Sequence, residues 1–416
     1  LQSREKRGSF GGAQLLTKNP AAYDLFLKAQ QTHYGDRSPE GRAQVIRTLE
    51  EVLRLDPTYT SAMHLLVVAH ANNYRAERDP VRFLAHGREA RRWAETLFRL
   101  DPNGAGASAL GYVALLEADY PRAHQLFEAA TRAAPNEAAN YNGLASAAVG
   151  LARLHDALRH SRRATELDPL NRVFRINTLG TLVVLRRKDE YLQEAAAVRR
   201  EQPSVLLARF WYRLTGEITG EFDDRLEGSR LPRPTDRPSA ILKRKFPEAL
   251  ESIERGLSDS HLSPVERWGG LLQKADCLRW LGRTAEAEAT LREAEMWMER
   301  ANAIPDRDAS IPDQRRMLTW ARMGRAEEAI AAGRRFVAAA APERQQEERW
   351  LRERRLASAH AVLGQAKECV ELLDRLLKFP SGISVPELKV DPIWDRVRDD
   401  PGFKALLADP RNSAPL

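Results

Sequence analysis

The sequence predicts an all-α fold, a solenoid of stacked antiparallel helix pairs, and three observations predict it. Five prolines, Pro57, Pro102, Pro135, Pro169 and Pro203, recur at intervals of 45, 33, 34 and 34 residues. The 416 residues are 43% hydrophobic but only 7% aromatic, and their wealth of Ala, Leu, Glu and Arg favours helix over strand. Gly and Pro punctuate the helical segments, and no sustained β-branched alternation calls for a sheet.

Taken in order, residues 1–19 read as a flexible lead-in, with Gly8-Ser-Phe-Gly-Gly lacking the Lys of a phosphate loop. Tyr23-Asp-Leu-Phe-Leu opens a first helix, and the stretch from Thr48 to Pro57 closes its partner. In the 45-residue interval, MHLLVVAHANN and EARRWAETLFRLDP supply the helices, and the extra residues are expected in the turn around YRAERDPVRF. Two regular units follow. In the one beginning at Ala138, Tyr141, Leu144, Ala145, Ala148, Ala157, Ala164 and Pro169 fall at positions 4, 7, 8, 11, 20, 27 and 32, counting Ala145 with Leu144 as neighbours. The unit beginning at Gly104 carries Leu110, Gly111, Ala114, Ala123, Phe127, Ala130 and Pro135 in the same register, with small Ala107 at position 4. Small residues at 8 and 20 let two antiparallel helix axes approach, apolar residues fill the space around that crossing, and the closing proline stops the second helix.

After Pro203 a helix SVLLARFWYRLTGE leads to an insertion at 216–243, rich in Pro, Gly and charge, which is the candidate for a bend between an array at 20–215 and a second at 244–380. FPEALESIERGL then supplies a second helix, and three later units show Gly ending a first helix with a small residue five positions on: Gly282 with Ala287, Gly324 with Ala329, Gly364 with Cys369. Gly there supplies the positive φ that closes a helix. About nine helix pairs result, followed by a tail at 381–416 that Pro386, Pro392 and Pro401 break into short turns. Its Ile393, Trp394, Val397, Phe403 and Leu407 form an apolar stripe suited to lidding the last pair.

The pattern of large apolar residues at 4 and 7, small ones at 8, 20 and 27, and Pro at 32 resembles the tetratricopeptide repeat over most of residues 20–380. That resemblance implies a right-handed superhelix whose first helices line a concave groove for a peptide or protein ligand. Inward positions of the groove are then His64, Ser108, Tyr112, Asn142, Ser146 and, allowing a one-residue slip, Asn177, with Asn142 and Asn177 suited to clamping an extended backbone, or else simply solvated or bonding neighbouring helices. The two Lys or Arg plus Asn by which some family members grip a C-terminal carboxylate are missing from those positions.

The two ends carry a second resemblance. LQSREKRG followed by TKNPAAYDLFLKAQ, and Asp391-Pro392, Trp394, Asp395, Arg398, Asp399-Asp400-Pro401 and Phe403 in the tail, resemble the start and close of the tetratricopeptide half of bacterial membrane-linked signalling proteins: adenylyl cyclases, receptor-type Ser/Thr kinases and winged-helix regulators. This resemblance implies an input or partner-recruiting module beside an effector, although no cyclase, kinase or winged-helix sequence is present. Since the first residue is Leu, the chain is expected to be a piece or a mature product of something longer. The other reading is a structural subunit that assembles through its repeat surface, with itself or in a larger complex.

Catalytic signatures are lacking: there is no Walker loop, no Gly-x-Ser-x-Gly elbow and no His-Glu-x-x-His. The expectation is a non-catalytic chain without cofactor or metal. His155 and His160 read as surface residues, and His64 and His70 share no metal without ligands from elsewhere. Cys277 and Cys369 read as packed free thiols, which fit cytoplasm and periplasm alike. The formal charge of +7 is thin for 65 basic and 58 acidic residues, and the Arg doublets, Arg315-Arg316 among them, read as solvated helix faces, so no nucleic acid is expected. No run of 18 apolar residues calls for membrane insertion by this chain, which leaves a tether through an upstream segment.

Overall fold

The computed structural model describes residues 17–36, 38–76, 80–201, 239–260, 262–304, 308–340, 345–380 and 383–416. Most of the lead-in, the helix expected after Pro203 and most of the 216–243 insertion lie outside them. The described residues are helical with no strand, and successive helices pack as adjacent pairs. The chain divides into two compact units, one ending at Thr178 and one beginning at Leu179.

In the first unit the pairs are α1 (Pro20–Gly35) with α2 (Pro39–Leu55), α3 (Thr60–Ala76) with α4 (Pro80–Leu100), α5 (Ala105–Leu116) with α6 (Tyr120–Ala133), and α7 (Ala138–Gly150) with α8 (Leu154–Leu167). Polar caps set the starts: Asn19 accepts from the amides of Ala21 and Ala22, Ser38 from Gly41 and Asp119 from Arg122, each with proline in the first turn, where its missing N–H is harmless. The first helices of each pair also touch in sequence, α1 to α3, α3 to α5 and α5 to α7. Phe127 of α6 is buried at the crossing, edge-on to Tyr112 at 5.2 Å, and a Cβ on Gly111 or Gly143 would run into its ring. The small residues therefore set the helix spacing, as the repeat register requires.

One expectation changes. The extra residues of the 45-residue interval do not make a long turn: α3 and α4 run to 17 and 21 residues against 12 and 14 for α5 and α6, and absorb all but residues 77–79 of that stretch. Added helical turns gain a backbone hydrogen bond per residue, which a surface loop would forgo.

The helix α9 (Arg172–Val184) starts in the first unit, and the division falls inside it. The second unit contains α10 (Lys188–Glu201), then α11 (Ser239–Leu242) with α12 (Phe246–Leu257), α13 (Pro264–Trp280) with α14 (Thr284–Asn302), α15 (Ile311–Arg322) with α16 (Ala326–Ala338), and α17 (Gln345–Leu363) with α18 (Ala366–Leu376). Short α19 (Val385–Val390) and α20 (Pro401–Ala408) finish the chain, α20 against α18 and residues 392–394 against α17. Trp394, Val397 and Phe403 are buried there, with Leu406 more deeply covered than Leu407.

Among the described residues, seven turns between successive helices share one geometry. Gly282, Gly324 and Gly364 have φ of 75°, 79° and 74°, as their place in the sequence demands. The equivalent slot is filled without glycine by Ala118, Ala152, Arg186 and Arg244, at φ of 54° to 59°. In each, the next residue donates its amide five residues back, as in Arg153 to Ala148 O and Arg283 to Leu278 O, both 2.8 Å. This is the Schellman closure, which satisfies the helix's terminal carbonyls.

Candidate functional site: a polar track along the first helices

The six residues expected to face a groove fall on α3, α5, α7 and α9 in the first unit, and the structure links them side by side. His64 Nε2 lies 3.0 Å from Ser108 Oγ, and the His64 ring meets Tyr112 edge-on at 6.0 Å. Tyr112 donates its hydroxyl to Ala139 O at 3.4 Å. Asn177 donates its amide to Asn142 Oδ1 at 2.7 Å, and Ser146 donates to Asn142 O at 3.0 Å. The polar residues thus join neighbouring first helices to one another across α3, α5, α7 and α9.

Burial splits the set. His64 and Ser108 are 2% and 3% exposed, so they are interior residues and not groove contacts. The reason is that α5 packs directly against α3, with Ala109, Leu110 and Val113 joining the buried apolar residues of α3 in one cluster. Burial pushes the His64 imidazole down to about 4, so it packs as a neutral ring. Tyr112, Asn142, Ser146 and Asn177 are half-buried and hold the exposed edge of the track. What these four side chains supply chemically is amide and hydroxyl groups with both donor and acceptor character, suited to backbone hydrogen bonding and not to proton transfer.

Elsewhere, chemistry is sparse. Among the described residues no three His, Cys, Asp or Glu stand close enough to hold a metal ion. His70 is buried and meets His86 through their Nδ1 atoms at 3.0 Å, a pairing across α3 and α4 that the sequence did not disclose. His155 is exposed, while His160 is half-buried with its pKa lowered by burial. Cys277 and Cys369 are buried and outside any disulfide, and burial, with Asp400 nearby, pushes Cys369 up to about 12, far from a reactive thiolate. Among the described residues, no helix is long and apolar enough to cross a membrane.

In the second unit the tail comes up against the carboxyl ends of the first helices. Arg244, in the turn after α11, holds Asp395 through two bonds of 2.7 and 2.8 Å, and Arg396 donates to Val362 O of α17 at 2.6 Å. Ile393 packs on the cluster of Met317, Ala321, Leu356 and Val362. Arg186 donates to Asn412 O at 3.0 Å and Ile383 O at 3.3 Å, and the amide of Leu416 donates to Leu185 O. The reading of the Arg doublets as wholly solvated is corrected in this unit: Arg315 is 4% exposed and donates to Ala301 O, closing the carboxyl end of α14. Sequence spacing offered one missed clue. Arg186 and Arg244 precede buried Tyr191 and Ala249 by the same five residues that separate Gly282 from Ala287.

The repeat register, the small-residue crossings and the matching turns describe a helical repeat fold of stacked antiparallel pairs, similar in kind to the tetratricopeptide solenoid. No protein-family model matches the chain, and the search of curated proteins gives no match. Among solved structures it is similar to MamA 41-end from Desulfovibrio magneticus RS-1, at 21% identity over 45% of this chain and 100% of that one, with a TM-score of 0.29. It is also similar to yeast Tom70, at 16% identity over 88% of this chain and 69% of that one, with a TM-score of 0.34. At scores this low neither likeness bears on what the chain does.

Proposed function

We propose that the chain is a non-catalytic module that binds a protein or an extended peptide along the first helices of its amino-terminal unit, and that it serves as the partner-recruiting part of a bacterial signalling protein. The observation that carries the binding reading is the half-buried row of Tyr112, Asn142, Ser146 and Asn177, which repeats amide and hydroxyl groups along α5, α7 and α9. An extended peptide offers unpaired backbone N–H and C=O groups at regular spacing, and such a row answers them without demanding a charge. The signalling context is supported by the terminal segments alone. The tail residues that carry it, Trp394, Asp395 and Phe403, are buried or ion-paired, a role that fits a closing segment of a repeat array.

Crosslinking followed by affinity capture of the full-length protein from its own cells tests this reading, with Ser146→Arg as the comparison. A long charged side chain on the track should abolish the specific crosslink while leaving the melting temperature within a degree or so. Equal capture by the folded variant would remove this face from consideration, and recovery of crosslinks only between copies of the chain would favour assembly over recruitment.

A further inference from the structure

We infer that the ligand of the first unit's track is an extended peptide segment without charged side chains, selected by a face that carries no charge of its own. The inference rests on the peptide-binding reading and names the chemistry of the partner. Two first helices carry it. Neither α5 (AGASALGYVALL) nor α7 (AANYNGLASAAVG) contains Asp, Glu, Lys, Arg or His, and every residue of both is buried or half-buried.

The half-buried residues fall in a stripe that keeps the repeat's period. On α7 it runs through Ala139, Asn142, Ser146 and Val149, at helical spacings of three and four. Counting 34 residues back, α5 supplies Ala105, Tyr112 and Leu115, with buried Ser108 in the remaining place. Leu116 and Tyr141, also half-buried, pack instead into apolar clusters. Among the described residues the first helices α3, α5 and α7 pack on one another in succession, while no comparable packing joins α4 to α6 or α6 to α8. The stack therefore curves with the first helices inside. The bonds from Tyr112 to Ala139 O and from Asn177 to Asn142 place the stripe along the seams between those helices. Charges of the same repeats stand on the second helices, where Arg122, Glu128, Arg159 and Arg163 are exposed. Glu137, two residues before the stripe's start on α7, is spent on capping that helix at the Ala139 amide.

A side chain that enters the inside of such a curve loses water. A carboxylate, ammonium or guanidinium there finds no opposite charge on α5 or α7 to replace that water, a cost that a single hydrogen bond does not offset. Uncharged side chains give up little and gain apolar contact with Ala105, Leu115 and Val149. The face thus discriminates by what it withholds from a charged competitor. The ligand backbone is answered separately. Asn142 Oδ1 is held by the Asn177 amide at 2.7 Å, which leaves the Asn142 N–H groups to donate to a ligand carbonyl. One helical turn on, the Ser146 hydroxyl donates to Asn142 O and keeps lone pairs to accept a ligand N–H.

Selection of a random decapeptide library, displayed on phage, against the full chain tests the inference, with parallel selections on Ser146→Arg and Asn142→Asp. The parent's pool should be depleted of Asp, Glu, Lys and Arg alike. Its most enriched decapeptide, synthesised, should bind with an affinity that changes less than about twofold between low salt and about 0.5 M salt. Asn142→Asp keeps the shape and still accepts from Asn177, so it should melt close to the parent. One carboxylate on the stripe should nevertheless weaken that decapeptide by about tenfold or more and draw a pool enriched in Lys and Arg. A parent pool rich in charge, or indifferent to it, overturns the inference, and the peptide-binding reading survives if Ser146→Arg loses that pool. Equal recovery of the pool by folded Ser146→Arg, or no enriched pool at all, overturns both.

Discussion

Glycine at the turn slot can be separated from glycine at a packing site by one pair of substitutions. In Gly282→Ala, the added Cβ meets nothing within 4 Å, so the whole effect lies in the backbone, which is held at φ 75°. The left-handed region costs an L-residue about 1–2 kcal/mol, and alanine returns roughly 0.4–1 kcal/mol by restricting the unfolded chain. The balance is a loss of about 1 kcal/mol. Ala152→Gly is the converse: its φ of 57° and the bond from Arg153 to Ala148 O place it in the same closure, so glycine should stabilise by roughly 0.5–1 kcal/mol. The two sites lie in different units, so the measurement is urea unfolding followed by probes in each unit, with the shift read from each midpoint at unchanged slope. A neutral Gly282→Ala, or a destabilising Ala152→Gly, would refute the claim that backbone conformation governs these seven turns.

Two other outcomes follow from the packing. Gly143→Ala drives a methyl into the Phe127 ring and should cost about 1–3 kcal/mol in urea unfolding, with Phe127→Leu in the same chain recovering part of it. Acid should weaken the first unit through His64 and His70, whose folded values of about 4 lie below the ordinary 6.5 because both are buried. The unfolded chain then takes up protons near pH 6.5 that the folded chain refuses, so their contribution is complete above pH 6.5 and is lost as the pH falls to about 4, at up to roughly 1.4 kcal/mol per pH unit for each histidine; His64→Gln should flatten that slope in denaturation at stepped pH.

The fold was legible because it rests on a single repeated constraint. Close approach of two helices excludes all but small side chains at fixed offsets, and the exclusion shows in one sequence as Gly111 opposite Phe127 or Ala157 five residues after a turn. Chemistry that depends on which neighbour covers a face was not legible. His64 occupies an inward register position, yet α5 packs over α3 and covers it, a contact between neighbouring units that the register of a single repeat does not state. The lengthening of α3 and α4 was missed because a period counts residues without saying whether the extra ones extend a helix or a loop. The buried Arg315 and the tail's anchors were missed because a guanidinium reaches backbone carbonyls far off in sequence, and no spacing rule encodes that.

The four turns that lack glycine sort into two kinds, and the difference bears on what each unit is built to do. Ala118 and Ala152 in the first unit accept the left-handed conformation with a side chain too small to engage anything beyond the turn. Arg186 and Arg244 in the second accept the same strain with a side chain that reaches the tail, one on the carbonyls of Ile383 and Asn412, the other on the Asp395 carboxylate. Strain of that kind persists only where surrounding bonds over-determine it. Glycine would close either turn at less backbone cost, and the bonds that the arginine side chains make to the tail offset that cost. The tail is therefore integral to the second unit, held there by Arg186 and Arg244.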